Sequence, residues 1–330
     1  MVSIYQYPNI SIAQSQKLQT MNASKHTYNL NYAPHFGSFE NVAGKDLFDQ
    51  LKFMADMGFR AFEDSGRVGE NFPKAFGVGM VGQPNEFLDK IGSTLANLNM
   101  EMGTFVLPPT FWPPKATLTS GNPEWRELFL NECRKAVETA KRINGKYITV
   151  VPDTYDYFLH TNIQTANVID ALRYACDIFE PHGITMVLET LSDHPSLFLR
   201  TSTQAYMLCR AVNRKCCKIL FDMYHLQKNE GRLIYHIDQC WDEIGYFQIG
   251  DEPGRNEPGT GEINYKNIFR HIAEKSKTTN REFILGMEHH NSITGAEGEK
   301  ALLNAYKQCD DFYTSSDEIK EKKVLSPAVQ

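Results

Sequence analysis

The chain has no apolar run approaching the ~18–20 residues that cross a bilayer, which argues against a membrane-embedded protein. It has no Cys-x-x-Cys pair; seven cysteines stand scattered at positions 133, 176, 209, 216, 217, 240 and 309. An odd, unpatterned set in a chain this long argues against a disulfide framework and predicts buried free thiols in a reducing compartment. A basic surplus is missing too, since 34 Lys and Arg against 40 Asp and Glu leave a formal charge of −6. No nucleic-acid partner is expected from that balance. No Gly-x-Gly-x-x-Gly follows the first strand-like segment. Gly77, Gly79 and Gly82 have the spacing, but no strand precedes them, so they read as a mobile glycine-rich loop rather than a phosphate cradle.

With 330 residues, 42% of them hydrophobic and 22% charged, the chain can bury a large core of ordinary globular type. Residues 1–27 are polar and aperiodic. Lys17 is the first basic residue, and Pro8, Asn9 and Ser11 interrupt the only mildly apolar part. A signal peptide needs the opposite pattern, so a flexible N-terminal arm is expected here. Residues 314–330 read as a polar C-terminal tail. A cytoplasmic location is expected, with export through a leader missing from this chain as the alternative.

From Tyr28 the apolar period switches between 2 and 3.6. Strand candidates are 28–33, 59–63, 101–107, 146–151, 184–189, 217–222, 244–249 and 282–288. Helix candidates lie between and after them, at 44–57, 84–98, 122–143, 161–181, 201–213, 229–240, 264–277 and 295–313. Leu47, Leu51 and Met54 show the stripe of a helix packed on a sheet. Eight strand–helix units without a linker predict an α/β protein, a single (β/α)8 TIM barrel over residues 28–313, in preference to an open doubly wound sheet.

Four of the strand candidates run into an oxygen-bearing side chain: Glu189, Asp222, Gln248 and Glu288. Parallel strands present their C-terminal ends on one face, so these four groups converge although they are 33, 26 and 40 residues apart in sequence. A carboxylate at a barrel mouth is costly to desolvate without a cation or a hydrogen-bond partner. Two glutamates, an aspartate and a neutral oxygen donor make a hard set, suited to one divalent cation, Mg2+ or Mn2+, with Co2+ as the further option. His225, three residues past Asp222, stands where the loop after the strand would begin, and it can orient a substrate oxygen or donate a proton. Glu63 also ends an apolar strand and reads as a tie across the barrel rim.

The segment 247–265, FQIGDEPGRNEPGTGEINY, is dense in glycine and proline and describes a fixed loop. Within it Arg255 can clamp a carboxylate through two parallel hydrogen bonds. Glu257 can pair with His225 or Arg255, and Asp251 reads as a loop cap. Phe111, Trp112 and the proline pairs at 108–109 and 113–114 supply a pocket wall, with Trp112 as a hydrophobic lid.

LFDMYH around Asp222, the whole of 247–265, and LGMEH around Glu288 resemble the hydroxypyruvate isomerase branch of the xylose-isomerase-like barrel superfamily, over about residues 28–313. The resemblance implies a metal at Glu189, Asp222, Gln248 and Glu288, substrate binding by His225, Arg255 and Glu257, and catalysis by Glu189 and Glu288. Ketose 3-epimerases place histidine where this chain has Gln248. The branch often has Glu-Pro after the fifth strand, whereas here Glu189 is followed by Thr190 and by Ser192-Asp193-His194-Pro195.

The implied chemistry is isomerisation through a cis-enediolate. One glutamate removes a proton beside a carbonyl, and the proton returns to the neighbouring carbon. Hydroxypyruvate to tartronate semialdehyde is the expected reaction, or that of a related 2-oxo acid or sugar. A ketose 3-epimerase and a keto-sugar lyase are alternatives on the same site, and a noncatalytic sugar-binding barrel is the alternative of another class. A phosphodiesterase of the DNA-repair type would need more histidine ligands and a basic face. The expected partner is a small hydroxy-carbonyl molecule. Oligomeric state stays open, a homo-oligomer being the default for soluble enzymes.

Overall fold

The computed structural model describes residues 27–64, 79–111 and 114–313. The tail 314–330, all of the expected arm except residue 27, Gly77 and Trp112 lie outside the described residues.

The strands are β1 (Asn31–Ala33), β2 (Ala61–Phe62), β3 (Glu101–Met102), β4 (Thr104–Val106), β5 (Tyr147–Val150), β6 (Thr185–Glu189), β7 (Cys217–Asp222), β8 (Ile244–Gln248) and β9 (Ile284–Gly286). All pair in parallel, in the order β1-β9-β8-β7-β6-β5-β4, with β2 beside β3. β3 and β4 form one barrel strand interrupted at Gly103, where a Cβ would come within 2.5 Å of the Tyr246 hydroxyl. The ring closes through β2. His35 bridges to Glu63 on one side, and Asp64 N donates to Thr104 O at 3.0 Å on the other. The result is the expected eight-stranded TIM barrel.

Among the described residues, eight helices follow the strands, at Leu47–Asp56, Asn85–Asn97, Pro123–Ile143, Thr161–Phe179, Ser202–Val212, Leu233–Cys240, Tyr265–Thr279 and Gly295–Asp310. Local chemistry sets their starts. Asn122 accepts from Glu124 N and Trp125 N ahead of Pro123, and Asp46 caps Phe48 N and Asp49 N. Two short helices escape the periodicity reading, Glu40–Ala43 and Met223–Asn229, because seven residues or fewer cannot display a 3.6-residue stripe. The second corrects the reading of His225 as the start of a loop: it lies in a helix whose N-cap is Asp222. No helix among the described residues is long and apolar enough to cross a membrane.

Strand alternation divides the apolar residues into two sets. Met186, Leu188, Phe221 and Phe247 join the large core between sheet and helices. Ala33, Ala61, Val187, Leu220, Tyr246 and Ile284 form a separate cluster inside the barrel. Two residues further along the same strand faces stand His35, Glu63, Glu189, Asp222, Gln248 and Gly286. The polar layer thus rests directly on the apolar plug. Gly286 belongs to that layer because Glu63 occupies the space: a Cβ on Gly286 would lie 1.8 Å from Glu63 Oε2. Gly286→Ala should therefore lower the stability by about 1–3 kcal/mol through overpacking. Urea unfolding checks this, and an unchanged midpoint would contradict the packing described.

Candidate active site

Glu189, Asp222 and Gln248 are the last residues of β6, β7 and β8, and Glu288 lies two residues beyond β9. Register brings them together, with Asp222 opposite Gln248 and Gln248 opposite Gly286. Glu189, Asp222 and His225 are all buried, and each offers a ligand atom within 4.8 Å of the others. Glu288 joins the group electrostatically, since its charge and that of Asp222 both act on Glu189. Burial, then Glu288 and Asp222, push the Glu189 carboxyl well above the usual carboxylate range, with Arg255 opposing. Three clustered carboxylates facing one guanidinium form an electrostatic hole for a cation.

Among the buried atoms without hydrogen-bond partners are Gln248 Oε1 and His225 Nε2. A buried amide oxygen without a donor is costly, and a hard cation would satisfy it. The residues present therefore fit a divalent ion. His225 has a different character. Its Nδ1 accepts the Ser192 backbone N–H at 3.2 Å and lies 2.8 Å from Ser192 Oγ. A backbone N–H can only donate, so the proton of the neutral ring sits on Nε2. Burial holds the ring below its ordinary pKa, Asp222 acting in the opposite sense. Nε2 stands 3.9 Å from Glu189 Oε1 and 3.8 Å from Asp222 Oδ2, placed to donate. Ser192 is the residue that sequence reasoning missed. Its signal was the Ser-Asp-His-Pro departure after Glu189.

The 247–265 loop is fixed by backbone donors. Asp251 accepts from Gly259 N, Gly261 N and Ile263 N at 2.8–3.0 Å, the cap role expected of it. Arg255 has φ +49°, a left-handed conformation costly for a non-glycine residue, and its carbonyl accepts His290 N at 2.8 Å. Its guanidinium lies over the Tyr224 ring, donates through Nε to Glu288 O, and places Nη2 3.0 Å from Glu288 Oε2 and 3.7 Å from Asp222 Oδ2. Glu257 forms neither of the pairs expected of it. Its carboxylate is buried and takes Ser292 N at 2.8 Å and the Ser292 hydroxyl, tying the loop to the segment after β9. Glu63 corrects another expectation: it is fully buried inside the barrel, under the rim rather than across it, and accepts the Tyr246 hydroxyl at 3.0 Å. Beside the site, Leu107, Pro108, Pro109, Pro114, Asp153 and Leu191 are among the residues lining a cavity of about 190 Å³.

A model of the xylose isomerase-like TIM barrel family matches residues 51–309, and the chain belongs to that family. Among curated proteins it is 33% identical to hydroxypyruvate isomerase of Escherichia coli over 190 residues, 56% of this chain and 72% of that protein. It is 40% identical to 2-oxo-tetronate isomerase of Pectobacterium atrosepticum over 106 residues, 32% of this chain and 40% of that protein. These relatives place the chain among isomerases. Of solved structures, the IOLI protein with a bound zinc atom superposes with a TM-score of 0.64 at 17% identity, covering 86% of this chain and 99% of that one.

The raised carboxyl of Glu189 has a consequence for stability. In the metal-free protein its contribution is fully present below its ordinary pKa of 4.5 and is lost as pH rises toward the raised value. A bound cation would remove that loss. Adding Mn2+ to chelator-stripped protein should therefore raise the unfolding temperature more at pH 8 than at pH 5.5. Equal increments at the two pH values would contradict this electrostatic picture.

Proposed function

We propose that the protein is a divalent-metal-dependent isomerase that moves a proton between adjacent carbons of a small hydroxy-carbonyl compound. The preferred reaction is hydroxypyruvate to tartronate semialdehyde, or that of a related 2-oxo acid or sugar. The observation that carries the reading is the buried cluster of Glu189, Asp222 and His225 at one barrel mouth, with the unpartnered Gln248 Oε1 on the strand paired to Asp222. Glu189, Asp222, Gln248 and Glu288 would hold Mg2+ or Mn2+, with Co2+ as the further option. When bound, such a cation polarises a carbonyl and offsets neighbouring negative charge.

The chain's own residues supply the remainder. Glu189 and Glu288 are the proton carriers. One takes the proton from the hydroxyl-bearing carbon, giving a cis-enediolate, and the proton returns at the former carbonyl carbon. His225 Nε2–H donates to a substrate oxygen, its tautomer held by Ser192. Arg255 receives the substrate carboxylate, its guanidinium already aligned by the Tyr224 ring and Glu288 O. Glu257 serves binding by anchoring the loop that carries Arg255. The names of the two isomerase relatives support this substrate class. A ketose 3-epimerase is the second reading. Two acid–base groups favour it, and Gln248 in place of histidine weighs against it.

Glutamine keeps the shape of glutamate and one ligating oxygen but accepts no proton. Glu189→Gln and Glu288→Gln should each retain folding and lose about 10²–10⁴ in turnover. For an isomerase, one variant should still exchange the substrate C–H with D2O slowly while the other does not. For an epimerase, each should exchange from one epimer only. Near wild-type turnover by both variants would overturn the proton-transfer reading and favour a binding protein.

A further inference from the structure

We infer that Asp193 is a specificity-determining residue: its carboxylate and the His225 Nε2–H take the same substrate oxygen from two sides, and that oxygen is a hydroxyl. The inference rests on the isomerase reading above and names what the site demands of its substrate, a free hydroxyl beside the carbonyl.

The geometry starts from His225. Its Nε2 is buried and has no hydrogen-bond partner among the described residues. Three carboxylate oxygens surround it, Asp222 Oδ2 at 3.8 Å, Glu189 Oε1 at 3.9 Å and Asp193 Oδ2 at 4.0 Å. Each is too far to accept from it directly, since an N–H···O bond closes at ~2.7–3.2 Å. Two atoms 4.0 Å apart can, however, both reach one oxygen placed between them. Glu189 and Asp222 are ligands in the metal reading, and Arg255 Nη2 already faces Asp222 Oδ2 at 3.7 Å. Asp193 has neither role. Its side chain is 57% exposed while that of His225 is fully buried, so it closes the pair from the solvent side, where a substrate enters.

The loop holds Asp193 there by both of its neighbours. Ser192 N donates to His225 Nδ1 at 3.2 Å, and the His194 carbonyl accepts Leu197 N at 3.2 Å and an Arg200 guanidinium nitrogen at 2.8 Å. One residue earlier, Leu191 O accepts the Asn229 amide at 3.1 Å. An oxygen between Nε2 and Asp193 must accept one hydrogen and donate another, because Nε2–H only donates and a carboxylate only accepts. A hydroxyl meets both demands. A carbonyl or ether oxygen has no hydrogen to give, and a phosphate ester would set negative charge against Asp193. With Arg255 receiving the carboxylate, the site selects an unphosphorylated 2-oxo acid that carries a hydroxyl.

Steady-state kinetics of Mg2+-loaded protein with hydroxypyruvate, and inhibition by pyruvate, which lacks only the hydroxyl, test this. Asp193→Ala should lower kcat/KM for hydroxypyruvate by about 10–100-fold, the range of one hydrogen bond to a charged group. The pyruvate inhibition constant should stay nearly unchanged. Asp193→Asn keeps an oxygen that accepts the hydroxyl hydrogen, so it should recover part of the loss. Equal weakening for both compounds would make Asp193 merely structural, and no loss for either would remove its role; both results overturn the inference while leaving the isomerase standing. An Asn variant no better than the Ala variant overturns it as well. If pyruvate does not inhibit the wild type, the comparison of Asn with Ala decides alone. Wild-type protein that converts no hydroxypyruvate would overturn the proposed reaction together with this inference.

Discussion

Buried negative charge at one end of the barrel is the constraint on which the rest of the structure depends. Parallel strands deliver Glu63, Glu189 and Asp222 to one dry mouth, directly above an apolar plug, and Glu288 reaches it from just beyond β9. Beyond burial itself, the charges of Glu288 and Asp222 raise the cost of ionising Glu189 and Glu63. The neighbours are arranged around that burden. Arg255 lies against Glu288 and Asp222, the Tyr246 hydroxyl meets Glu63, and the helix after β7 donates the His225 backbone N–H to Asp222. A cation would satisfy what these contacts leave open, chiefly Gln248 Oε1.

The loops add precision rather than stability. Arg255 sits in a left-handed conformation, and Asp251, Glu257 and His290 hold the loop around it with hydrogen bonds. A guanidinium fixed over an aromatic ring has lost much of its rotamer freedom, which would lower the ordering cost of binding a carboxylate there. Ser192 does the same for His225 by fixing which ring nitrogen carries the proton. Positioned donors of this kind are worth most where water is excluded, and both stand at the mouth that Glu189 and Asp222 occupy.

The barrel was legible because its strand ends are chemically abrupt. The runs 184–189 and 217–222 match Thr185–Glu189 and Cys217–Asp222 almost residue for residue, since an apolar strand that stops at a carboxylate leaves little doubt about its end or its inward face. The same alternation contained the inward position of Glu63, two residues past Ala61, but a single charge at a strand end is also the pattern of a rim tie. For other features the sequence carried no sign of the partner. Ser192 meets His225 across 33 residues, and Glu257 meets Ser292 across 35, contacts that no local period encodes. Met223–Asn229 is too short to show a stripe, so His225 looked like loop. Gly286 looks like any strand glycine until the carboxylate beside it is placed.

The central claim is metal-assisted proton transfer next to a carbonyl, and proton NMR in D2O tests it most directly. Chelator-stripped and Mg2+-loaded wild-type protein would each be incubated with hydroxypyruvate. The account predicts that the methylene signal is lost to deuterium and product signals appear only with Mg2+ present. Exchange at the same rate in stripped protein, or turnover with no exchange at that carbon, would contradict it.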